Sequence, residues 1–262
     1  MMQIIPISKS IIPACDVPDI DTYERILNGT ADNPRVGGYK IGFQLALKYG
    51  LPLIASETRN VTDKPLIYDH QKAGTDIPDT GKGFMDVVKK SGFDAVILFP
   101  QSGPVTEYEW IRAAQDVGLG VIVGGEMTHP RFLRTDLRNR DYTQIFEELG
   151  IERDLSGFMG FTSPDDIYEL AARMGVTNFV VPGNKPDSIK HYKSLVERFV
   201  ENPVFFAPGL IEQGGEITEA GKVAGERFHA IAGRGIYWNK REKRYNTAEE
   251  VEEVALDLTS KL

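Results

Sequence analysis

Eight short apolar runs, each closing on a polar or glycine-rich cluster and followed by a helical pattern, constrain this chain more than any other feature. They are Ile11–Cys15, Tyr39–Gly42, Pro65–Tyr68, Ala95–Phe99, Val121–Gly125, Asn178–Val181, Val204–Ala207 and His229–Ala232. Continuous apolar runs of this length mark strands of a parallel sheet covered by helices. Amphipathic patterns lie between them at Gly83–Lys90, Val105–Val117, Ile167–Met174, Asp187–Val200 and Glu219–Phe228. Ser163-Pro164-Asp165-Asp166 and Lys185-Pro186-Asp187-Ser188 place proline and acids where a helix begins. Strict β/α alternation forces right-handed crossovers, and eight units close the sheet. We therefore expect an α/β protein of the (β/α)8 TIM barrel class, a single domain over 1–262; such barrels use about 250 residues. The spacing breaks once, at a polar insertion around 131–165 that carries Arg134, Arg138, Arg140 and Arg153. It leaves from the face that carries barrel active sites, either as a lid or as a solvated excursion.

Charge and composition narrow the function. Thirty Lys plus Arg against thirty-eight Asp plus Glu leave a net charge of −8, which disfavours nucleic acid and anionic membrane as partners. An anionic substrate then needs a local positive focus. Cys15 is the single cysteine, so no internal disulfide forms, and four scattered histidines give no zinc-binding spacing. A reducing, cytoplasmic setting is expected, and Met1–Ser10 resembles neither a membrane span nor a cleavable leader.

In a barrel the strand ends carry the chemistry. Asp16, Lys40 and the Asp69-His70-Gln71-Lys72 segment follow the first three strands, bringing two carboxylates and two lysines to one mouth. Such an array holds its members charged and preorganises a field. Glu126-Met127-Thr128-His129 and Asn184-Lys185 follow later strands. After strands seven and eight come Pro208–Gly215 and Gly233-Arg234-Gly235, a pairing of glycine-rich turns with arginine that suits phosphate. A divalent cation held by Asp16, Asp69 and Glu126 is disfavoured by the nearby lysines. Cys15, Trp110 and Trp238 read as packing residues, His70 and His129 as backbone-bonded side chains, and Glu249–Glu253 as the solvated face of a last helix.

The segment Asp69-His70-Gln71-Lys72-Ala73-Gly74-Thr75-Asp76-Ile77-Pro78-Asp79-Thr80 resembles the signature of the orotidine 5′-monophosphate decarboxylase family. Asp16, Lys40, Glu126-Met127-Thr128-His129-Pro130, Gln213-Gly214-Gly215 and Gly233-Arg234-Gly235-Ile236-Tyr237 fall in the family's order, and the Glu-Met-Thr-His-Pro segment is similar to its archaeal-type branch. The resemblance implies a cofactor-free, metal-free conversion of orotidine 5′-monophosphate (OMP) to UMP on a homodimer with shared active sites. It implies that Lys72 stabilises the carbanion at C6 and delivers the proton, that Asp69 crowds the substrate carboxylate, and that Lys40 and Asp76 complete the charged array. It further implies that Asp76, Ile77 and Thr80 reach in from the other subunit. Asp16 and Lys40 would hold the ribose, Thr128 the pyrimidine, and Gln213, Gly233 and Arg234 the phosphate.

One spacing departs from the family, which runs Asp-x-Lys-x-x-Asp; here the order is Asp69-x-x-Lys72-x-x-x-Asp76. On a regular strand Asp69 and Lys72 face opposite ways, so both enter the mouth only across a bulge or turn. Otherwise His70, two residues before Lys72, takes the acid's place. Two other functions stand beside decarboxylation: a Mg-dependent, hexulose-phosphate synthase-like lyase, and a non-catalytic nucleotide- or sugar-phosphate-binding relative.

Overall fold

The computed structural model describes residues 3–70, 75–129, 132–133, 163–211 and 213–262. Lys72 and residues 134–162 of the polar insertion therefore lie outside the described residues. Eight parallel strands close into a barrel in sequence order. They are β1 (Lys9–Cys15), β2 (Tyr39–Ile41), β3 (Leu66–Asp69), β4 (Ala95–Leu98), β5 (Gly120–Gly124), β6 (Asn178–Val180), β7 (Val204–Ala207) and β8 (Phe228–Ala232). β1 closes the ring on β8 with Ile11 opposite Ala230 and Ile12 opposite Ile231.

Period-two alternation sorts each strand into two cores. Ile12 and Ala14, Ile67, Ile97, Ile122, Val180, Phe206 and Ile231 fill the barrel interior. Ile11, Tyr39, Ile41, Leu66, Val96, Val123, Phe205 and Ala230 face outward into the helical layer. Each large side chain so buried stabilises the fold by about 1.5–3 kcal/mol. The same alternation places polar residues. Lys40 lies between outward-facing Tyr39 and Ile41, and Asp69 lies two residues past inward-facing Ile67, so both turn into the barrel.

The crossover helices are α1 (Ile20–Thr30), α2 (Phe43–Tyr49), α3 (Leu51–Arg59), α4 (Gly81–Lys90), α5 (Pro104–Asp116), α6 (Ser163–Arg173), α7 (Pro186–Val196) and α8 (Ile217–Ala224). A short α9 (Arg234–Tyr237) and the closing α10 (Ala248–Ser260) complete the described layer. Local chemistry fixes their starts: Asp19 accepts from Thr22 N at 2.9 Å, proline opens α5 and α7, and Thr247 with Glu250 forms a capping box on α10. Two expected ends move inward. The seventh helix stops at Val196 and the eighth at Ala224, where Gly225 takes φ +100° and frees Phe228 to begin β8. Glu249, Glu252 and Glu253 are exposed on α10, as expected.

Two buried titratable groups sit away from the mouth. His229 is inside the barrel, its Nδ1 2.8 Å from Ser10 Oγ, and its Nε2 meets no partner among the described residues. Burial, helped by Arg227, pushes it down to about 3. Glu107 on α5 is buried with Oε1 unpartnered among the described residues. Burial, with Asp166 adding repulsion, pushes its carboxyl up to about 8. Between pH 5 and 7 the unfolded chain protonates His229 while the native chain does not, so this contribution to stability falls as pH drops. Over the same range native Glu107 keeps a proton that the unfolded chain releases, so its contribution falls as pH rises. The two slopes oppose each other. In urea denaturation from pH 5 to 7, Glu107→Gln should gain about 2 kcal/mol and His229→Gln should lose about 2 kcal/mol; parallel pH profiles for the two variants and the parent contradict both assignments.

Candidate active site

The C-terminal ends of the strands open into a cavity of about 800 Å³. Its floor is Phe99, Ala14 and Ile231. Phe99 fits there because Gly124 has no side chain; a Cβ at that position would come within 2.2 Å of the ring.

On one wall, Lys40 is wedged between two acids. Its Nζ hydrogen-bonds Asp69 Oδ2 at short range and lies 3.4 Å from Asp16 Oδ2. Lys40 and Asp69 side chains are 5% and 0% exposed, so the pair sits in low dielectric where Coulomb attraction is strong. Burial pulls the Lys40 amine down, but Asp69 and then Asp16 more than reverse this and hold it well above the ordinary lysine range. The ammonium is therefore permanent at physiological pH. Asp69 is the acid paired most closely with Lys40. His70 turns outward, its ring 4.2 Å from Phe84 and stacked near-parallel on Trp110 at 5.7 Å. Burial lowers its pKa, against the pull of Asp69. Trp110 is the packing residue expected, its Nε1 donating to Ile77 O at 3.1 Å.

The opposite wall carries a second buried pair. Lys185 Nζ lies 2.6 Å from Glu126 Oε1, and the Tyr192 hydroxyl donates to Glu126 Oε2 at 2.7 Å. Lys185 also donates to Met127 O at 3.1 Å, fixing the turn that leads to Thr128. Glu126 is thus engaged across the cavity from Asp16 and Asp69, and the three carboxylates do not converge as ligands of one cation. Thr128 lines the cavity. The Asn184 amide donates to Thr128 O at 3.2 Å and to Gln213 O at 3.4 Å, tying the loop after β5 to the loop after β7.

Gln213, Gly233 and Arg234 line the far end, where phosphate was expected. The loop after β7 is tightly folded: Ile211 N donates to Gly215 O at 2.8 Å, and Gly215 N to Gly209 O at 3.2 Å. Ile211 takes φ +67°, a strained conformation for a β-branched residue and of a kind that gathers at ligand-binding turns. Gly209 at φ +87° leaves room where a Cβ would press within 2.7 Å of Thr128 Cγ2.

Of the expected site residues among those described, Asp69 is fully buried beside Lys40 and does not itself line this cavity, nor do Asp76, Ile77 and Thr80. Asp76, Ile77 and Thr80 are exposed at the start of the crossover to α4, Ile77 by 59%. Lys72 lies outside the described residues. Trp238, expected as packing, instead lines the cavity with Tyr245, its ring 5.0 Å away and edge-on. Sequence reasoning missed Tyr192, Phe43 and Tyr245; the aromatic-rich stretch Tyr237-Trp238 beside Arg234 was the available signal. Cys15 is fully buried, and burial followed by the Asp16 charge raises its thiol well above the ordinary range, so it is no nucleophile. His129 sits edge-on to Phe132 at 5.6 Å.

Asp69→Ala should destabilise the fold by on the order of 3 kcal/mol, because it strips a buried ammonium of its nearer counter-charge. An unchanged denaturation midpoint contradicts this account of the pair.

Comparison with known proteins agrees with the geometry. A family model described as "Orotidine 5'-phosphate decarboxylase / HUMPS family" matches residues 9–250. The orotidine 5′-phosphate decarboxylase of Methanocaldococcus jannaschii is 28% identical over 236 residues, covering 88% of this chain and 92% of that protein. Its counterpart in Methanococcus maripaludis is 26% identical over 224 residues, covering 86% and 88%. The crystal structure of the M. jannaschii enzyme complexed with inhibitor BMP shares the fold, with TM-score 0.73 and 23% identity over 97% of this chain and 99% of that one. The Pyrococcus horikoshii enzyme superposes with TM-score 0.67 at 23% identity, covering 96% and 98%.

Proposed function

This chain belongs to the orotidine 5′-phosphate decarboxylase / HUMPS family, and we propose that it converts OMP to UMP and CO₂ with no metal or organic cofactor. The observation that carries the reading is the Asp16–Lys40–Asp69 array, of which Asp16 and Lys40 line the same cavity as Thr128, Gln213 and Arg234. A nucleotide fits that layout end to end: ribose at the acids and lysine, pyrimidine toward Thr128, phosphate at Gln213, Gly233 and Arg234. The named relatives are decarboxylases of this nucleotide, which favours this branch of the family over a Mg-dependent sugar-phosphate lyase.

Chemistry then follows from charge. The bond from C6 to the carboxylate breaks, CO₂ leaves, and the electron pair stays on C6, where no cofactor delocalises it. In this proposal the Lys72 ammonium faces C6, stabilises the developing charge and gives up its proton to it; solvent then reprotonates the amine. Asp69 stands against the departing carboxylate, and Lys40 orients both Asp69 and Asp16. Phosphate contacts far from C6 supply binding energy that holds the ring in place.

The same proposal makes the protein a cytoplasmic homodimer. Asp76, Ile77 and Thr80 are exposed on their own subunit, and Ile77, 59% exposed, suits burial against a second copy. Asp76 then completes the neighbour's array. Among the described residues no helix is long and apolar enough to cross a membrane.

Protein treated with EDTA should still consume OMP, followed by loss of its ultraviolet absorbance; dependence on added Mg²⁺ would overturn the assignment. Lys72→Ala should lower kcat by at least about 10³-fold while UMP affinity changes little, and undiminished turnover contradicts its role. Arg234→Ala should weaken UMP binding by about 10–100-fold in calorimetry, the worth of a bidentate charged contact; equal affinity removes the phosphate site.

A further inference from the structure

The Tyr192 hydroxyl is a buried polar group that the proposed reaction does not use. It lies on the inner face of α7, where Ile189, Tyr192 and Val196 recur at helical spacing and are buried. Lys185 caps the start of the same helix, and its side chain runs to the same carboxylate as the hydroxyl does. That carboxylate is Glu126, two residues past β5. Each of its oxygens has its own donor: Lys185 Nζ at 2.6 Å from Oε1 and Tyr192 Oη at 2.7 Å from Oε2. Burial raises the Tyr192 phenol well above its ordinary range, so the hydroxyl stays a donor at physiological pH.

The turn that Glu126 opens is held at each backbone step. Glu126 N donates to Tyr168 Oη at 3.3 Å, and that hydroxyl donates onward to Val180 O of β6 at 2.6 Å. Met127 O accepts from Lys185 Nζ at 3.1 Å and Thr128 O from Asn184 Nδ2 at 3.2 Å, so consecutive carbonyls are held by consecutive side chains. The Tyr168 and Tyr192 rings lie 4.4 Å apart, which brings both hydroxyls to one residue. Glu126, Met127 and Thr128 all line the cavity, whereas Tyr192 does not. A carboxylate held through both oxygens is fixed in rotation as well as in place. Without the Tyr192 donor it turns about the bond to Lys185, because a buried oxygen left unmet seeks a new partner. The turn moves with it, and Thr128 is two residues further on.

We propose that Tyr192 is a positioning residue for the pyrimidine: acting through Glu126, it sets where Thr128 stands against the ring. The inference rests on reading the cavity as a nucleotide site with its pyrimidine toward Thr128, and not on turnover. A group displaced in this way weakens the hold on that part of the ligand it touches and spares the rest.

The test compares, by calorimetry, UMP with ribose 5-phosphate, which keeps the sugar and phosphate and lacks the base. Tyr192→Phe deletes one oxygen and keeps the ring against Tyr168. It should weaken UMP binding by about 3–10-fold and change ribose 5-phosphate binding by less than about twofold. In a Thr128→Ala background the same substitution should weaken UMP binding by less than about twofold more, since the contact it acts through is already gone. Unchanged UMP affinity overturns the proposal. So does an equal loss for both ligands, which marks a purely structural role, or a loss that adds in full to that of Thr128→Ala. In each of these cases a parent that binds UMP more tightly than ribose 5-phosphate keeps the nucleotide reading in place. A parent that binds the two alike overturns both the positioning role and the placement of the pyrimidine at Thr128.

Discussion

Lys40 is the group around which the mouth is organised. A lysine turned into a barrel interior is expensive unless its charge is met at close range, and here it is met by Asp69 beside it and Asp16 at 3.4 Å. That arrangement depends on backbone position. Ala14 of β1 pairs with Lys40 of β2, and Lys40 in turn pairs with Ile67 of β3, which sets Asp69 two residues further along the same inward face. A one-residue slip of the short β2 would carry the ammonium into the helical layer and leave both acids facing each other. Register, ion pairing and site geometry are therefore one constraint.

The second pair, Glu126 with Lys185, does for the far wall what Lys40 does for the near one. Each holds a strand-end turn in place with a buried, hydrogen-bonded charge, and Asn184 extends the bracing from Thr128 to the loop of Gln213. These contacts brace both walls, the kind of preorganisation that electrostatic catalysis requires.

How much of this can be read from sequence follows from how far apart the interacting residues lie. The eight strands are legible because strands buried on both faces must be apolar throughout, and every expected run contains a strand within a residue or two. Helix ends are less so: Glu219–Phe228 looks continuous in pattern, yet Gly225 ends the helix and Phe228 belongs to the sheet. Strand alternation already favours Asp69 over His70, since Asp69 shares parity with Ile67. What settles His70 is an aromatic nest from Phe84 and Trp110 on two later helices, and no local pattern announces it. The Glu126–Lys185–Tyr192 link likewise joins residues from β5, β6 and α7 surroundings. Trp238 reads as packing in the sequence because its cavity-facing position depends on the hairpin that carries it.

Decarboxylation by this chain depends on where the amine of Lys72 sits. A crystal structure with UMP bound, at a resolution that places side-chain nitrogen atoms, reads this directly. We expect Lys72 Nζ inside the mouth, hydrogen-bonded to Asp69 and facing C6 of the pyrimidine, with the backbone between them bulged by the extra residue. A lysine turned to solvent while the nucleotide fills the cavity would contradict the decarboxylase mechanism and leave a binding protein in its place.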